Sequence, residues 1–465
     1  MTLWQHEAIM TSPENRIAEI TAEARRRGLT HVTLAYFDMN GRLRAKYFHV
    51  DNLEKAMTTG TPINLGVFSV SPNEIPMPRS RFYDPANQFR DGQLRLLPGT
   101  CRDFPLDADG RGMIMIAELV DEHRAYCPRA LLSAQVERLH AIGLEANGAF
   151  EFECYLLDED RDSLRSRSAA AVRPHRGFEV FYSFQDEFEQ HALFRDLIDT
   201  CGKMGIALDT VHPEFGKLLE SGLRPQRGMN IADNAALYKA VSKVVARRHG
   251  IMASYMARRD DRGQACGAHI NLSLLGLEDE RPAFFDAQAP DRMSETMRLF
   301  FGGLVRYTPE LFLLQAPHLN SYKRFRPELF APLSNTWGID NKTTAFRAVT
   351  VNEWSARVEV RVTGADVNPY LALAGILIAG RRGIEERMEP PPPTEGDGWS
   401  RPSPAGMEFP KTLDEAMRRF GDSALARAEL GDRFVDAFLE GRQWQLDALN
   451  DTVTDWELRT FAEDV

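Results

Sequence analysis

Residues 148–155 read Gly-Ala-Phe-Glu-Phe-Glu-Cys-Tyr, and this octet constrains the fold more than any other stretch of the chain. Side chains along a strand alternate between its two faces. Glu151 and Glu153 therefore share one face, and Phe150 and Phe152 share the other. The phenylalanines need a packed layer behind them. The carboxylates repel each other, and burial would sharpen the repulsion. A divalent cation between them resolves the conflict. A solvent-facing strand edge resolves it too, and the octet alone does not choose.

The same alternation recurs. In 357–361, Arg357, Glu359 and Arg361 fall on one face, with Val358, Val360 and Val362 opposite. Two arginines flanking a carboxylate suit anionic ligands, or form a surface ion-pair ladder. In 267–274, His269, Asn271 and Ser273 share a face, backed by Ile270, Leu272 and Leu274. Neutral imidazole is a common metal ligand, and a satisfied core histidine is the alternative. Glu214 and Glu220 follow a predicted strand in HPEFGKLLE, and NSYKRFRP (320–327) is a basic, aromatic loop fit for an anion or for solvent. Spacing does not prove that these five segments meet.

Ser12-Pro13-Glu14 starts a predicted helix and Gly28 ends it. Residues 31–37 and 42–48 flank Asp38-Met39-Asn40-Gly41, a hairpin signal. Segments 94–98 and 112–119 read as further strands. Pro128 opens a helix to Gly143. Strands over 149–156, 206–212, 250–257, 267–275 and 356–362 then mix with helices over 187–203, 291–307 and 369–386. Asp233 is expected to cap another helix, with Leu237, Ala240, Val241 and Val244 on its apolar face. Strands 250–257 and 267–275 read as neighbours. Residues 389–410 are Pro- and Gly-rich and read as an extended loop. Thr412 and Glu415 form a capping-box pattern opening a helical C-terminal stretch. The predicted class is α+β, with a small strand-rich domain over 1–125 and a large α+β domain over 126–465.

Composition narrows the partners. The 465 residues are 43% apolar and 26% charged, ordinary for a soluble globular chain. A net charge of −11 makes it a poor general binder of nucleic acid or anionic membrane. Cys101, Cys127, Cys154, Cys201 and Cys266 form no CxxC pair, which fits a reducing cytoplasm. The first residues lack the apolar core of a signal peptide. The longest apolar stretch, Tyr370 to Gly380, falls well short of the roughly 20 residues that cross a bilayer.

The motifs GAFEFECYLL, HPEFGKLLES, ARRHGIMASYMA, GAHINLSL, NSYKRFRP, WGIDNKTTAFR, ARVEVRVTGADVNPYLALAGIL and VTDWEL occur in that order. Together they resemble the glutamine synthetase superfamily, from near residue 30 to the C-terminus. The resemblance implies a β-grasp-like N-terminal domain, then a catalytic domain with a curved antiparallel sheet and surrounding helices. It also implies two or three Mg²⁺ or Mn²⁺ ions, with ATP and glutamate as substrates. One metal would be held by Glu153, Glu214 and Glu220, the other by Glu151, His269 and Glu359, a donor set suited to hard cations. Arg324 and Arg361 would bind the glutamate carboxylates, and Arg347 and Arg357 would face the ATP phosphates. Asn271 and Ser273 would lie near the nucleotide. Lys342 stands where the family usually has an arginine for the transferring phosphate. Stacked hexameric rings are implied, with sites between the N-terminal domain of one subunit and the large domain of its neighbour.

The departures concern the nucleophile. Leu65 matches the position of an ammonium-binding aspartate. Phe330, before Ala331-Pro332, stands where ammonia-using members carry a glutamate. Losing two carboxylates removes the attraction for NH₄⁺ and leaves an apolar pocket suited to a larger amine. Residues 263–267, with Gln264 and Gly267, replace the family's Asn-Gly-Ser-Gly substrate loop. Residues 389–410 hold no tyrosine, so adenylylation there is not expected. The reading is an ATP-dependent glutamate–amine ligase, with Arg347, Lys342 and Phe330 as candidate catalytic residues. An ammonia-using glutamine synthetase and a non-catalytic relative are the competing readings.

Overall fold

The computed structural model describes residues 13–463 apart from 72–73, 78–79, 83–84, 167–170, 178–179 and 262. The expected cap at Ser12 lies outside the described residues. The helix itself runs Pro13–Arg26 and is followed by Gly28 at φ 68°.

The hairpin forms as its sequence dictates. β1 (His31–Phe37) pairs antiparallel with β2 (Leu43–His49). Asp38 Oδ1 closes the turn by accepting from the amides of Asn40 and Arg42, both at 3.0 Å. Gly41 must be glycine twice over: its φ is 73°, and a Cβ would lie 2.9 Å from the Asn368 Cα. β3 (Thr61–Asn64), β4 (Asp91–Leu96), β5 (Arg102–Phe104) and β6 (Gly112–Leu119) complete a sheet in the order β2-β1-β6-β4-β3, with β5 on β6. The β1–β6 pair is parallel. β1 and β6, each with a strand on either side, are buried almost throughout.

The second sheet is built on β7 (Leu144–Leu157), longer than its predicted 149–156. It also contains β8 (Leu208–Glu214), β9 (Leu218–Leu223), β10 (Gln226–Arg227), β11 (Met252–Ser254), β12 (Ala268–Gly276), β13 (Trp337–Ile339), β14 (Phe346–Val349) and β15 (Arg357–Val360). The order is β13-β14-β15-β12-β7-β9-β8, with β10 and β11 also on β7. All pairs are antiparallel except β13–β14. Phe150, Phe152, Ile270, Leu272, Val358 and Val360 are buried behind it. Tyr238, on the helix Met229–Arg248, stacks on Phe152 at 5.9 Å. Helices Glu295–Leu311 and Pro369–Glu385 touch backbone to backbone: a Cβ at Gly303 would lie 2.0 Å from the Ala379 carbonyl oxygen.

Several expectations are corrected. Asp233 caps nothing: its helix starts at Met229 after Gly228. Asp233 sits inside that helix, buried, accepting from Arg129 at 2.8 Å and from the Tyr370 hydroxyl at 2.7 Å. Tertiary pairing thus overrode its capping preference. Val244 is exposed, unlike Leu237 and Val241. The helix expected over 187–203 is two, Phe184–Glu189 and His191–Lys203. β11 and β12 are not neighbours; both pair with β7. Thr412 caps its helix as expected, accepting from the Glu415 amide, but the Glu415 carboxylate accepts from the Lys411 amide rather than from that of Thr412. All five cysteines are free and buried. No helix among the described residues is long and apolar enough to cross a membrane.

Candidate active site

Strand register gathers the polar faces. Arg347 on β14 lies opposite Glu359 on β15, and Glu359 lies opposite Asn271 on β12. One pleat along, His269 faces Glu151 on β7. Glu153 then faces Glu220 on β9, which faces His212 on β8. Polar groups from six strands therefore share one side of the sheet, with the aromatic and aliphatic layer on the other.

Two clusters result. In the first, His269 Nδ1 lies 3.0 Å from Glu151 Oε1 and 3.6 Å from Glu359 Oε1. Glu359 is 4% exposed, bonds Arg361, and accepts from Arg347 Nη1 at 2.6 Å. Burial opposes its charge, but His269, Arg361 and Arg347 outweigh burial and hold its pKa at about 2. Burial and Arg361 disfavour charge on His269; Glu151 and Glu359 prevail and raise its pKa.

In the second cluster, His212 Nε2 lies 3.4 Å from Glu220 Oε1, and Nδ1 3.7 Å from Glu214 Oε2. Ligand atoms of these three residues lie within 4.8 Å of one another. The resemblance implied Glu153 in this set. Glu153 lies opposite Glu220 and accepts from the Gly267 amide at Oε2, and burial raises its pKa. Carboxylates with imidazole, clustered this closely, fit a hard divalent cation.

The arginines line the same region. Arg324 is buried and donates to the carbonyls of Val362 and Arg361, both at 2.9 Å. Gly267 admits it: a Cβ there would lie 3.0 Å from Arg324 Nη2 and 3.4 Å from both Glu153 Oε2 and His269 Nε2. Arg361 is buried, and its Nε has no hydrogen-bond partner among the described residues. Its charge is paired with Glu359, and the free Nε donor is open to an acceptor on a bound ligand. Arg347 Nε also bonds Asp340 at 2.9 Å, and Arg357 Nε bonds Asn271 Oδ1 at 2.9 Å. Asn271 is thus occupied in orienting Arg357. Gln264 packs on Gly216, between Glu214 and Glu220; a Cβ on Gly216 would lie 2.4 Å from that of Gln264.

Other candidates lie further out. Ser273 is buried opposite Asn147, further along β12. Lys342 is exposed on the β13–β14 turn. Leu65 packs into the core of the first sheet, against Gly92. Phe330 is 56% exposed at φ 54°, and the Arg361 guanidinium carbon lies 6.0 Å from its ring centre.

Three residues of the site carried no clear sequence signal. His212 stood inside a quoted motif but was not given a role. Tyr182, in the left-handed region at φ 53°, packs its ring 4.6 Å from that of His212. Trp399, in the Pro- and Gly-rich loop, meets Phe330 edge-on at 5.1 Å. Neither aromatic belongs to a periodic segment, so neither could be assigned a face.

Comparison with known proteins identifies the family. The pattern described as "Glutamine synthetase, catalytic domain" matches residues 125–461. The chain belongs to the glutamine synthetase family. Within that family it is 32% identical over 475 aligned positions to the gamma-glutamylethanolamide synthetase GlnA4 of Streptomyces coelicolor, covering 100% of both chains. It is 29% identical to the glutamate–isopropylamine ligase of a Pseudomonas species, over 72% of this chain and 73% of the relative. It is also 29% identical to the type-1 glutamine synthetase 2 of Dictyostelium discoideum, over 93% of this chain and 83% of the relative. The fold matches a solved structure described as apo GmaS without ligand, with a TM-score of 0.82 at 21% identity, covering 96% of this chain and 99% of that one.

Proposed function

We propose that this glutamine synthetase family member is an ATP-dependent ligase joining the γ-carboxyl of glutamate to an organic monoamine, aromatic or alkyl. One observation carries the choice of amine over ammonia. Phe330, not a carboxylate, lies over buried Arg361, beside a cluster of carboxylates and arginines. The likeness to amide-forming relatives across the whole chain supports the same reading.

The chemistry follows from the groups present. Arg324 and the unpaired Nε of Arg361 would hold the glutamate carboxylates. A γ-carboxylate oxygen attacks the γ-phosphorus of ATP, and ADP leaves. The amine nitrogen then attacks the acyl carbon of the γ-glutamyl phosphate. The carbon–oxygen bond breaks, inorganic phosphate departs, and the surplus proton of the amine passes to a carboxylate or to solvent. Arg347, Arg357 and Lys342 would face the phosphates, and Asn271 would keep Arg357 in line. Ser273 would lie on the nucleotide side. Glu151, His269 and Glu359 would hold one divalent cation, and Glu214, Glu220 and either His212 or Glu153 a second. Bound Mg²⁺ or Mn²⁺ supplies neutralisation of the phosphoryl charge. Apolar Phe330, which bears no charge for ammonium, would border the amine. Leu65 is buried in the core of its own sheet and would not line this border; a neighbouring subunit's N-terminal domain would approach it in a ring assembly, with a domain boundary near residue 125. Sedimentation velocity tests the assembly.

The test of the function is direct. Purified protein with glutamate, ATP and Mg²⁺ is given a panel of amines, and the products are weighed by mass spectrometry. A γ-glutamylamide of an organic amine is expected. Phosphate release with ammonia and with no organic amine would overturn the reading.

A further inference from the structure

The loop over 389–410 takes no part in the chemistry described above, yet it is tied to the site. The Gly398 amide donates to Thr343 Oγ1 at 2.7 Å, and the Ser334 hydroxyl donates to the Gly398 carbonyl at 3.3 Å. Asn341 Nδ2 holds the carbonyls of Thr394 and Gly396 at 3.0 and 2.8 Å. Position 398 admits only glycine, because a Cβ would lie 2.8 Å from Thr343 Oγ1 and 2.9 Å from the Thr343 carbonyl oxygen. These ties fix the backbone beside Trp399 against the segment that runs from Phe330 to Arg347.

The indole itself is placed at a cost. Trp399 Nε1 is buried and has no hydrogen-bond partner among the described residues. A buried donor left unpaired is destabilising, and indole N–H groups usually find an acceptor. What Trp399 has instead is the edge-on contact with Phe330, at 72° between the ring planes. Phe330 is strained as well, since an aromatic residue rarely adopts a φ of 54°. Two unfavourable local states meet in one contact, and that contact keeps a largely exposed ring above Arg361.

We propose that Trp399 is a positioning residue for amine selection: it braces Phe330 over Arg361, so that the ring presents a fixed apolar wall to the carbon chain of the amine. The inference rests on the proposed amine-ligase function. The loop thereby becomes a specificity element, acting through Phe330 rather than through contact with the reacting atoms.

The test measures KM for propylamine, glutamate and ATP separately, and kcat/KM for ammonia, in wild type, Trp399→Ala, Trp399→Phe, Trp399→Leu, Phe330→Ala and the double alanine variant. Trp399→Ala should raise KM for propylamine about tenfold, the scale of a lost apolar pocket contact. KM for glutamate and ATP should stay within about twofold, and ammonia use should not fall, because neither depends on the wall. Trp399→Phe, which keeps a ring at the contact, should recover most of the loss; Trp399→Leu, which removes the ring but stays apolar, should raise KM for propylamine as the alanine variant does and carries the test if that variant does not fold. In the Phe330→Ala background, Trp399→Ala should have little further effect, because the two residues act as one unit. An unchanged propylamine KM in Trp399→Ala overturns the inference, as does an undiminished effect in the Phe330→Ala background. If the wild type joins no organic amine at all, the amine-ligase reading falls first and takes this one with it.

Discussion

Removing the Phe330 ring tests the amine subsite most directly. The side chain is 56% exposed in the free protein, so that fraction of its surface is available to a ligand. An aromatic side chain offers about 200 Å², which leaves about 110 Å² uncovered here. If an amine's carbon chain covers half of that, burial at about 25 cal/mol per Å² contributes about 1.4 kcal/mol. That energy is about a factor of ten in affinity. Phe330→Ala should therefore raise KM for propylamine about tenfold, while KM for ATP and glutamate moves by less than about twofold. Stability should change little, because the ring is mostly outside the core. The assay is steady-state phosphate release with each substrate varied in turn. If KM for glutamate rises and KM for the amine does not, Phe330 shields the glutamate site and does not border the amine.

Other outcomes follow from the same structure. Phe330→Glu should raise kcat/KM for ammonia relative to propylamine; no change in that ratio would mean that ammonium is bound elsewhere. Glu220→Ala should weaken Mn²⁺ binding at least about tenfold by titration calorimetry, since it removes a ligand rather than an outer partner; unaltered binding would remove the second cluster as a metal site. His318 is held at a pKa of about 3, first by burial and then by Arg442. Its folded pKa is below its unfolded value, so the unfolded chain binds the proton and stability falls as the pH drops below about 6.5, by up to about 1.4 kcal/mol per pH unit from this group. His318→Asn should flatten the fall in urea midpoint between pH 7 and pH 5, and an unaltered slope would show that other groups cause it. Asp233→Asn leaves Arg129 with Glu118 as its remaining carboxylate partner and should cost about 1–3 kcal/mol in urea unfolding; an unmoved midpoint would mean that Glu118 alone suffices for Arg129.

Much of the site was legible because strand alternation is a local rule. Glu151 with Glu153, and Arg357 with Glu359 and Arg361, could be given a common face from spacing alone. Gly41 and Gly267 were present as letters, but their reasons were not. One is met by Asn368, far along the chain, and the other by Arg324 and Glu153. Asp233 misled for the same cause. A capping preference is a local energy, and a buried ion pair with Arg129 outweighs it.

The sequence by itself determined which residue types are available: five carboxylates and an imidazole in ordered motifs, arginines for anions, and Phe330 in place of an acid. It also determined faces, because a two-residue period is fixed by backbone geometry. Register is another matter. That His269 meets Glu151, that Glu153 turns to Gly267 while His212 joins Glu214 and Glu220, and that Trp399 braces Phe330 were decided only by the tertiary structure. These contacts join segments up to 118 residues apart. Their energy depends on which strands pair and where loops are tied, and no local preference encodes that.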